Sequence, residues 1–246
     1  MKKSILILSV IGLTLFMTSC LEEGSNNYAD TSFAYLDTDD SGNIFAKTIS
    51  LYSPSRIITA NSMMTMQPNR IKIMAYSWDE ENGTVDIRVD GEVYPADKVI
   101  ISEEADVDHT ILRMSELPEV EEPESFLEMM TPLYANDKEF MGDYWIFQYG
   151  YTAEKGKRPR VEFYKRNEEN AQGEIAIDIN LTFVDNSEAT LTGSRASYVA
   201  LDMTPLRSLA QSGTATSDNL KIRFYYYVDG ESIPSTNVYE LTIREN

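Results

Sequence analysis

From Glu174 to Val184 apolar and polar residues alternate: Ile175, Ile177, Ile179, Leu181 and Phe183 fall on one side, with Asp178, Asn180 and Thr182 among their polar partners. A period-2 stripe of this length constrains the fold more than any other feature of the chain. Successive side chains of an extended backbone point to opposite faces, so the stripe predicts a half-buried strand of an antiparallel sheet. It returns at Leu220, Ile222, Phe224, Tyr226 and Val228, turned by Asp229-Gly230, and at Tyr239, Leu241 and Ile243. Asp143–Thr152 and Arg158–Lys165 are further strands, with Glu154-Lys155-Gly156-Lys157 reading as a hairpin loop between them. Helical pieces are short. Thr204-Pro205 reads as an N-cap with proline at the first helical position, leading into Leu206–Ala210, and Ser125–Met130 suggests another turn or two.

The first half is also strand-like. Ser32–Leu36 and Ile44–Leu51 flank Asp39-Asp40-Ser41-Gly42-Asn43. Arg70–Trp78 places Ile71, Ile73, Ala75 and Ser77 on one face and Met74, Tyr76 and Trp78 on the other. Thr84–Val89 alternates and is turned by Asp90-Gly91, a two-residue hairpin signal. With the short apolar run Val99–Ile101, these closely spaced strands predict a small barrel or sandwich. Glu116–Glu124 carries two prolines and five glutamates. Proline cannot donate to a ladder and like charges repel, so a linker is expected there. The expected organisation is therefore all-β: a small β domain over residues 31–118, an acidic linker over 119–124, and an immunoglobulin-like β-sandwich over 125–246.

Residues 1–19 read as a targeting segment. Lys2-Lys3 precede the uncharged run Ile5–Met17, which falls short of the about 20 apolar residues a spanning helix needs. Met17-Thr18-Ser19-Cys20 resembles the lipobox of bacterial lipoproteins, where small residues precede a cysteine that takes up acyl chains such as palmitate. Cys20 is the single cysteine, so no intramolecular disulfide can form. Residues 20–30 read as a lipidated, flexible tether, and Glu22-Glu23 resembles an acidic signal that places lipoproteins on the cell surface. Once Lys2 and Lys3 are removed, 21 − 2 = 19 basic residues face 40 acidic ones, a net charge near −21. That balance argues against nucleic acid, whose phosphates need a basic footprint.

Together these features resemble the NigD-like family of bacterial lipoproteins. The resemblance rests on the lipobox, on Tyr144–Tyr151 and Ile175–Phe183, on Ser197-Tyr198-Val199-Ala200-Leu201-Asp202-Met203-Thr204-Pro205-Leu206, and on the closing strands Lys221–Tyr227 and Val238–Ile243. It implies an OB-like N-terminal domain followed by a β-sandwich. It implies no catalytic residues and no cofactor, and points toward immunity or interaction within the envelope.

Few constellations point to chemistry. Asp37-Thr38-Asp39-Asp40-Ser41-Gly42-Asn43-Ile44 follows the first positions of a calcium loop, with Asp37, Asp39 and Ser41 as ligands. Thr48 stands where the closing glutamate belongs, and strand-flanked Asp-Ser-Gly-Asn is ordinary hairpin composition. His109 is the single histidine and neighbours Asp106 and Asp108, so an exposed acidic loop is expected. Aromatic rings occur on both faces of Tyr144–Tyr151 and Tyr225-Tyr226-Tyr227. One face should be core, leaving Trp145, Tyr149, Tyr225 and Tyr227 as candidate contacts for a partner protein or glycan. The expectation is a non-catalytic binding lipoprotein, held to the outer membrane through Cys20 and exposed at the cell surface. The alternative is a tethered glycan-acting hydrolase or glycan-binding accessory protein.

Overall fold

The computed structural model describes residues 27–49, 54–120, 122–134, 141–169, 173–209 and 219–242. The targeting segment, Cys20, the Glu22-Glu23 pair and Ile243 lie outside the described residues.

The first unit contains β1 (Asn27–Thr38), β2 (Ile44–Ile49), β3 (Ile57–Thr59), β4 (Arg70–Asp79), β5 (Thr84–Val89), β6 (Glu92–Lys98) and β7 (Ile100–Asp106). Their order in the sheet is β5-β6-β3-β2-β1-β4-β7. Val99 alone separates β6 from β7, yet β6 pairs in parallel with β3 while β7 pairs antiparallel with β4. The two halves of this continuous segment therefore join opposite ends of the sheet, which closes into a small barrel with β5 added outside β6. Leu36, Ala46, Ile58, Met74 and Tyr76 fill the interior, and Met63, from a 3-10 turn over Asn61–Thr65, is fully buried among them. The tether is shorter than expected, because residues 27–30 already belong to β1 and pair with β4.

The second unit is a sandwich. One sheet runs β8-β13-β10-β9: β8 (Asp108–Ile111), β9 (Glu128–Met129), β10 (Tyr144–Ala153) and β13 (Gly193–Asp202). The other is β11-β12-β14-β15, from β11 (Lys157–Glu169), β12 (Ile175–Asp185), β14 (Asn219–Val228) and β15 (Glu231–Pro234), with β16 (Tyr239–Thr242) also paired to β14. Between the sheets lie Trp145 and Phe147 of β10, Phe163 of β11, Ile177 of β12 and Phe224 of β14, each at most 1% exposed. Burying a large apolar side chain contributes about 1.5–3 kcal/mol, so these aromatics dominate the unit's stability.

Several expectations are corrected. The stripes of β12 and β14 pair in parallel, not antiparallel. The chain between them passes through β13 in the opposite sheet and the helix α1 (Thr204–Leu209), the long crossover that parallel pairing requires. Glu154–Lys157 is a corner between the two sheets, since β10 and β11 belong to different ones. Ser125–Met130 contains the short strand β9, held by Leu127 N–H to Gly150 O at 2.9 Å and Met130 N–H to Gln148 O at 3.0 Å. Nor does residue 118 separate the units. β8 pairs with β13, Leu112 packs in the sandwich core, and Glu124 bridges to Leu181, so the chain enters the sandwich next to Val107.

The units share a third core. Tyr35, Ile49 and Ile71 of the barrel pack with Ile146 and Ala200 of the sandwich around Val107, and the Phe33 ring meets Tyr198 edge-on at 5.1 Å. This seam explains why β4 and β10 carry apolar residues on both faces. Met74 and Tyr76 line the barrel while Ile71 faces the sandwich, and Trp145 and Phe147 line the sandwich while Ile146 faces the barrel.

Candidate functional site

Beside the seam, the two units enclose a cleft of about 1050 Å³. β1 and β2 contribute Tyr35, Asp37, Phe45 and Lys47, and the β5–β6 hairpin contributes Val89, Asp90, Glu92 and Tyr94. Gly142, Asp143, Tyr144, Asp202 and Thr204 come from the sandwich.

Local rules place each part. Asp90 and Gly91 both take positive φ (53° and 83°), the geometry of a two-residue hairpin turn that Asp and Gly tolerate best. Asp40 fixes that turn from the β1–β2 loop: its carboxylate accepts from the N–H groups of Asp90 (2.9 Å) and Gly91 (3.1 Å). At the floor, Tyr35 Oη donates to Asn69 Oδ1 at 2.9 Å, and Tyr144 Oη donates to the Asn69 carbonyl at 3.1 Å. Asn69 is held in the left-handed region (φ 57°) by these bonds and by its N–H to Leu36 O at 2.8 Å. Gly142 (φ 59°) is required opposite them, because an added Cβ would stand 3.0 Å from Tyr35 Oη. On the sandwich side, Arg207 donates to Asp143 and to the Thr242 carbonyl, with the side chains of the ion pair only 5% and 11% exposed. Asp202 accepts from the Thr204 N–H at 2.8 Å at the start of α1, so Asp202, not Thr204, serves the helix's first N–H.

The cleft is negative. Five carboxylates line it against Lys47. Lys47 pairs with Asp37 at 3.1 Å and Arg207 with Asp143, while among the described residues no ion pair engages Asp90, Glu92 or Asp202. The Tyr35 phenol is pushed well above its usual range, first by burial and then by Asp37, Tyr144, Asp143 and Asp202. Tyr144 is raised by burial and then by Asp202, with Arg70 opposing. A second concavity of about 710 Å³ runs along β4 and β7, but there Lys72 is spent on Asp106 (2.8 Å) and Glu104 (3.4 Å).

The residues expected from sequence are dispersed. Trp145 and Tyr149 are each 1% exposed on the core face of β10 and offer nothing to a partner; the stripe of β10 turns them inward because Tyr144 and Ile146 supply the other face. The Tyr225 ring lies under the Arg166 guanidinium at 4.0 Å, itself bidentate on Asp178, and Tyr227 is half-buried on the same strand. Asp37 answers Lys47, whereas the Asp39 carboxylate accepts from the N–H groups of Ser41 and Asn43 (2.8 Å each) and from Asn43 Nδ2 (2.9 Å). Burial opposes Asp39 ionisation, but those bonds together outweigh it and hold its carboxyl below the usual range. Asp37, Asp39 and Ser41 thus serve a strand pair and a turn. Nor is His109 an exposed loop residue. Its Nε2 accepts the Ile71 N–H at 2.8 Å, and its ring meets Tyr144 edge-on at 5.3 Å. Sequence reasoning missed Tyr35, Asn69, Glu92, Tyr94 and Asp202. Of these, Glu92 and Tyr94 were signalled, since Asp90-Gly91 already marked a projecting hairpin.

No protein-family model and no curated protein sequence matches the chain. Solved structures do. An uncharacterised protein from Parabacteroides merdae is 11% identical, with 88% of this chain and 100% of that one covered, at a TM-score of 0.60. A proposed lipoprotein from Bacteroides fragilis is 9% identical over 88% and 99% of the two chains, at 0.56. A NigD-like immunity protein from Bacteroides caccae is also similar, 13% identical over 87% and 97%, at 0.48. At these identities the first two likenesses establish a shared two-unit fold.

Proposed function

We propose that this protein is a non-catalytic binding lipoprotein of the bacterial envelope, anchored through acylated Cys20 to the outer membrane, exposed at the cell surface, and binding its partner in the cleft between barrel and sandwich. The observation that carries the reading is the cleft itself: two units packed through a common apolar seam leave about 1050 Å³ between them, walled by aromatic rings and carboxylates. Binding sites concentrate where units meet, because two rigid walls can be shaped independently. The lipobox-like Met17–Cys20 and the fold shared with a proposed lipoprotein support the anchor. An immunity-type role, in which a harmful polypeptide is held at the envelope, is the form of this reading that accords with the NigD-like resemblance.

Photo-crosslinking in intact cells tests it. A benzoyl-phenylalanine at Tyr94, on the cleft rim, should yield a discrete adduct, and one at Val238, equally exposed on the sandwich, should not. No adduct from position 94, or identical adducts from both, would overturn the site. Cys20→Ser should move the protein from the membrane to the soluble fraction; retention in the membrane would overturn the anchor.

A further inference from the structure

We infer that the occupant of the cleft is a polypeptide segment bearing several lysine or arginine side chains; this rests on the reading of the cleft as the binding site. Charge in the cleft is unbalanced. Of five lining carboxylates, two are met within the fold, Asp37 by Lys47 and Asp143 by Arg207. That leaves 5 − 2 = 3, namely Asp90, Glu92 and Asp202, with no ion pair among the described residues. They come from opposite walls, Asp90 and Glu92 from the barrel hairpin and Asp202 from the end of β13. Carboxylates converging on one concavity from two folding units lower the potential for any cation entering it.

Tyr94 and Tyr144 stand among the acids, over the buried Tyr35. Phenol rings pack against the aliphatic stems of lysine and arginine and attract the charged head across the ring face. Pockets for small ligands run to about 300–1,000 Å³. At about 1050 Å³ this cleft sits at or above that range, too large for one amine and adequate for several residues of extended chain.

The test is anisotropy of fluorescein-labelled octalysine titrated with the purified full-length lipoprotein in detergent, beside labelled octaserine. Octalysine should bind and octaserine should not. The Asp90→Asn/Glu92→Gln/Asp202→Asn variant should weaken octalysine about eightfold, about twofold per carboxylate. Asp202 also serves α1, so Asp90→Asn/Glu92→Gln provides the variant that leaves the sandwich intact; asparagine tolerates positive φ, and about fourfold weakening is expected. A control, Asp229→Asn/Glu231→Gln/Glu240→Gln on the sandwich, should leave the affinity within about twofold. Equal weakening by the control, or octalysine binding that ignores the cleft carboxylates, would overturn the cationic assignment. A Tyr94 adduct with a partner that is acidic or a polysaccharide would likewise overturn that assignment while leaving the cleft as the binding site.

Discussion

Replacing His109 with alanine removes the acceptor for a backbone N–H that has no other place to go. Ile71 lies one residue beyond the last β4–β7 pairing, Lys72 with Asp106, and is 0% exposed. Its N–H donates to His109 Nε2 at 2.8 Å, across the point where the chain passes from barrel to sandwich. A buried donor left unpaired costs about 1–3 kcal/mol. At about 2–4 °C per kcal/mol for a body of this size, a central 2 kcal/mol corresponds to a fall in Tm of about 4–8 °C. The imidazole must be neutral to accept. Burial holds its pKa below the usual value, Arg70 adds to that, and the Val107 carbonyl, Asp106 and Asp108 pull the other way. The unfolded chain therefore binds the proton more readily than the fold does. This contribution is complete above the unfolded value, about pH 6.5, and is lost as the pH falls toward and through the lower folded value. Denaturant unfolding of wild type and His109→Ala at about pH 7.5 and about pH 5.5, above most carboxylate titration, measures both effects. The wild type should lose more stability than the variant between the two. An equal loss in both proteins, or a His109→Ala protein as stable as wild type at the higher pH, would refute the reasoning.

Other perturbations follow from the cleft's construction. Asp143→Ala strands the Arg207 charge, whose side chain is 5% exposed, and should cost about 3–5 kcal/mol by chemical denaturation. Gly142→Ala should destabilise by about 1–2 kcal/mol from positive φ alone, with the approach to Tyr35 Oη at 3.0 Å adding to it; Gly156→Ala, also at positive φ but with nothing within 4 Å, should show only the backbone part. Asp40→Ala unties the β5–β6 turn from the β1–β2 loop and should raise hydrogen exchange at Asp90 and Gly91, with no change in the sandwich.

The sequence made the strands legible wherever polar and apolar residues alternated. β12, β14 and the turns at Asp90-Gly91 and Asp229-Gly230 are where alternation and turn chemistry put them, and both turns show the positive φ expected. What could not be read is how strands choose neighbours. β12 and β14 carry identical-looking stripes whether paired parallel or antiparallel, and only the intervening passage through the other sheet decides. β8, at Asp108–Ile111, is too short and polar to show a period, so in the sequence the proline-rich acidic stretch after it looks like the boundary. A strand with two apolar faces announces two buried faces without saying what covers the second. For Tyr144–Tyr151 the cover is the barrel, which is why Trp145 and Tyr149 are core while Tyr144 reaches the cleft. The cleft joins residues far apart in the chain, so only the hairpin carrying Glu92 and Tyr94 left a local mark.

The cleft depends on barrel and sandwich behaving as one body, since neither wall makes a site alone. The chain has two tryptophans, Trp78 in the barrel strand β4 and Trp145 in the sandwich core. In Trp78→Phe and Trp145→Phe variants, the remaining indole reports one unit while far-UV circular dichroism reports both. If the seam couples them, fluorescence and dichroism give one coincident unfolding midpoint in each variant. A Trp78 transition separated from the dichroism midpoint, with Trp145 unfolding independently, would contradict the account.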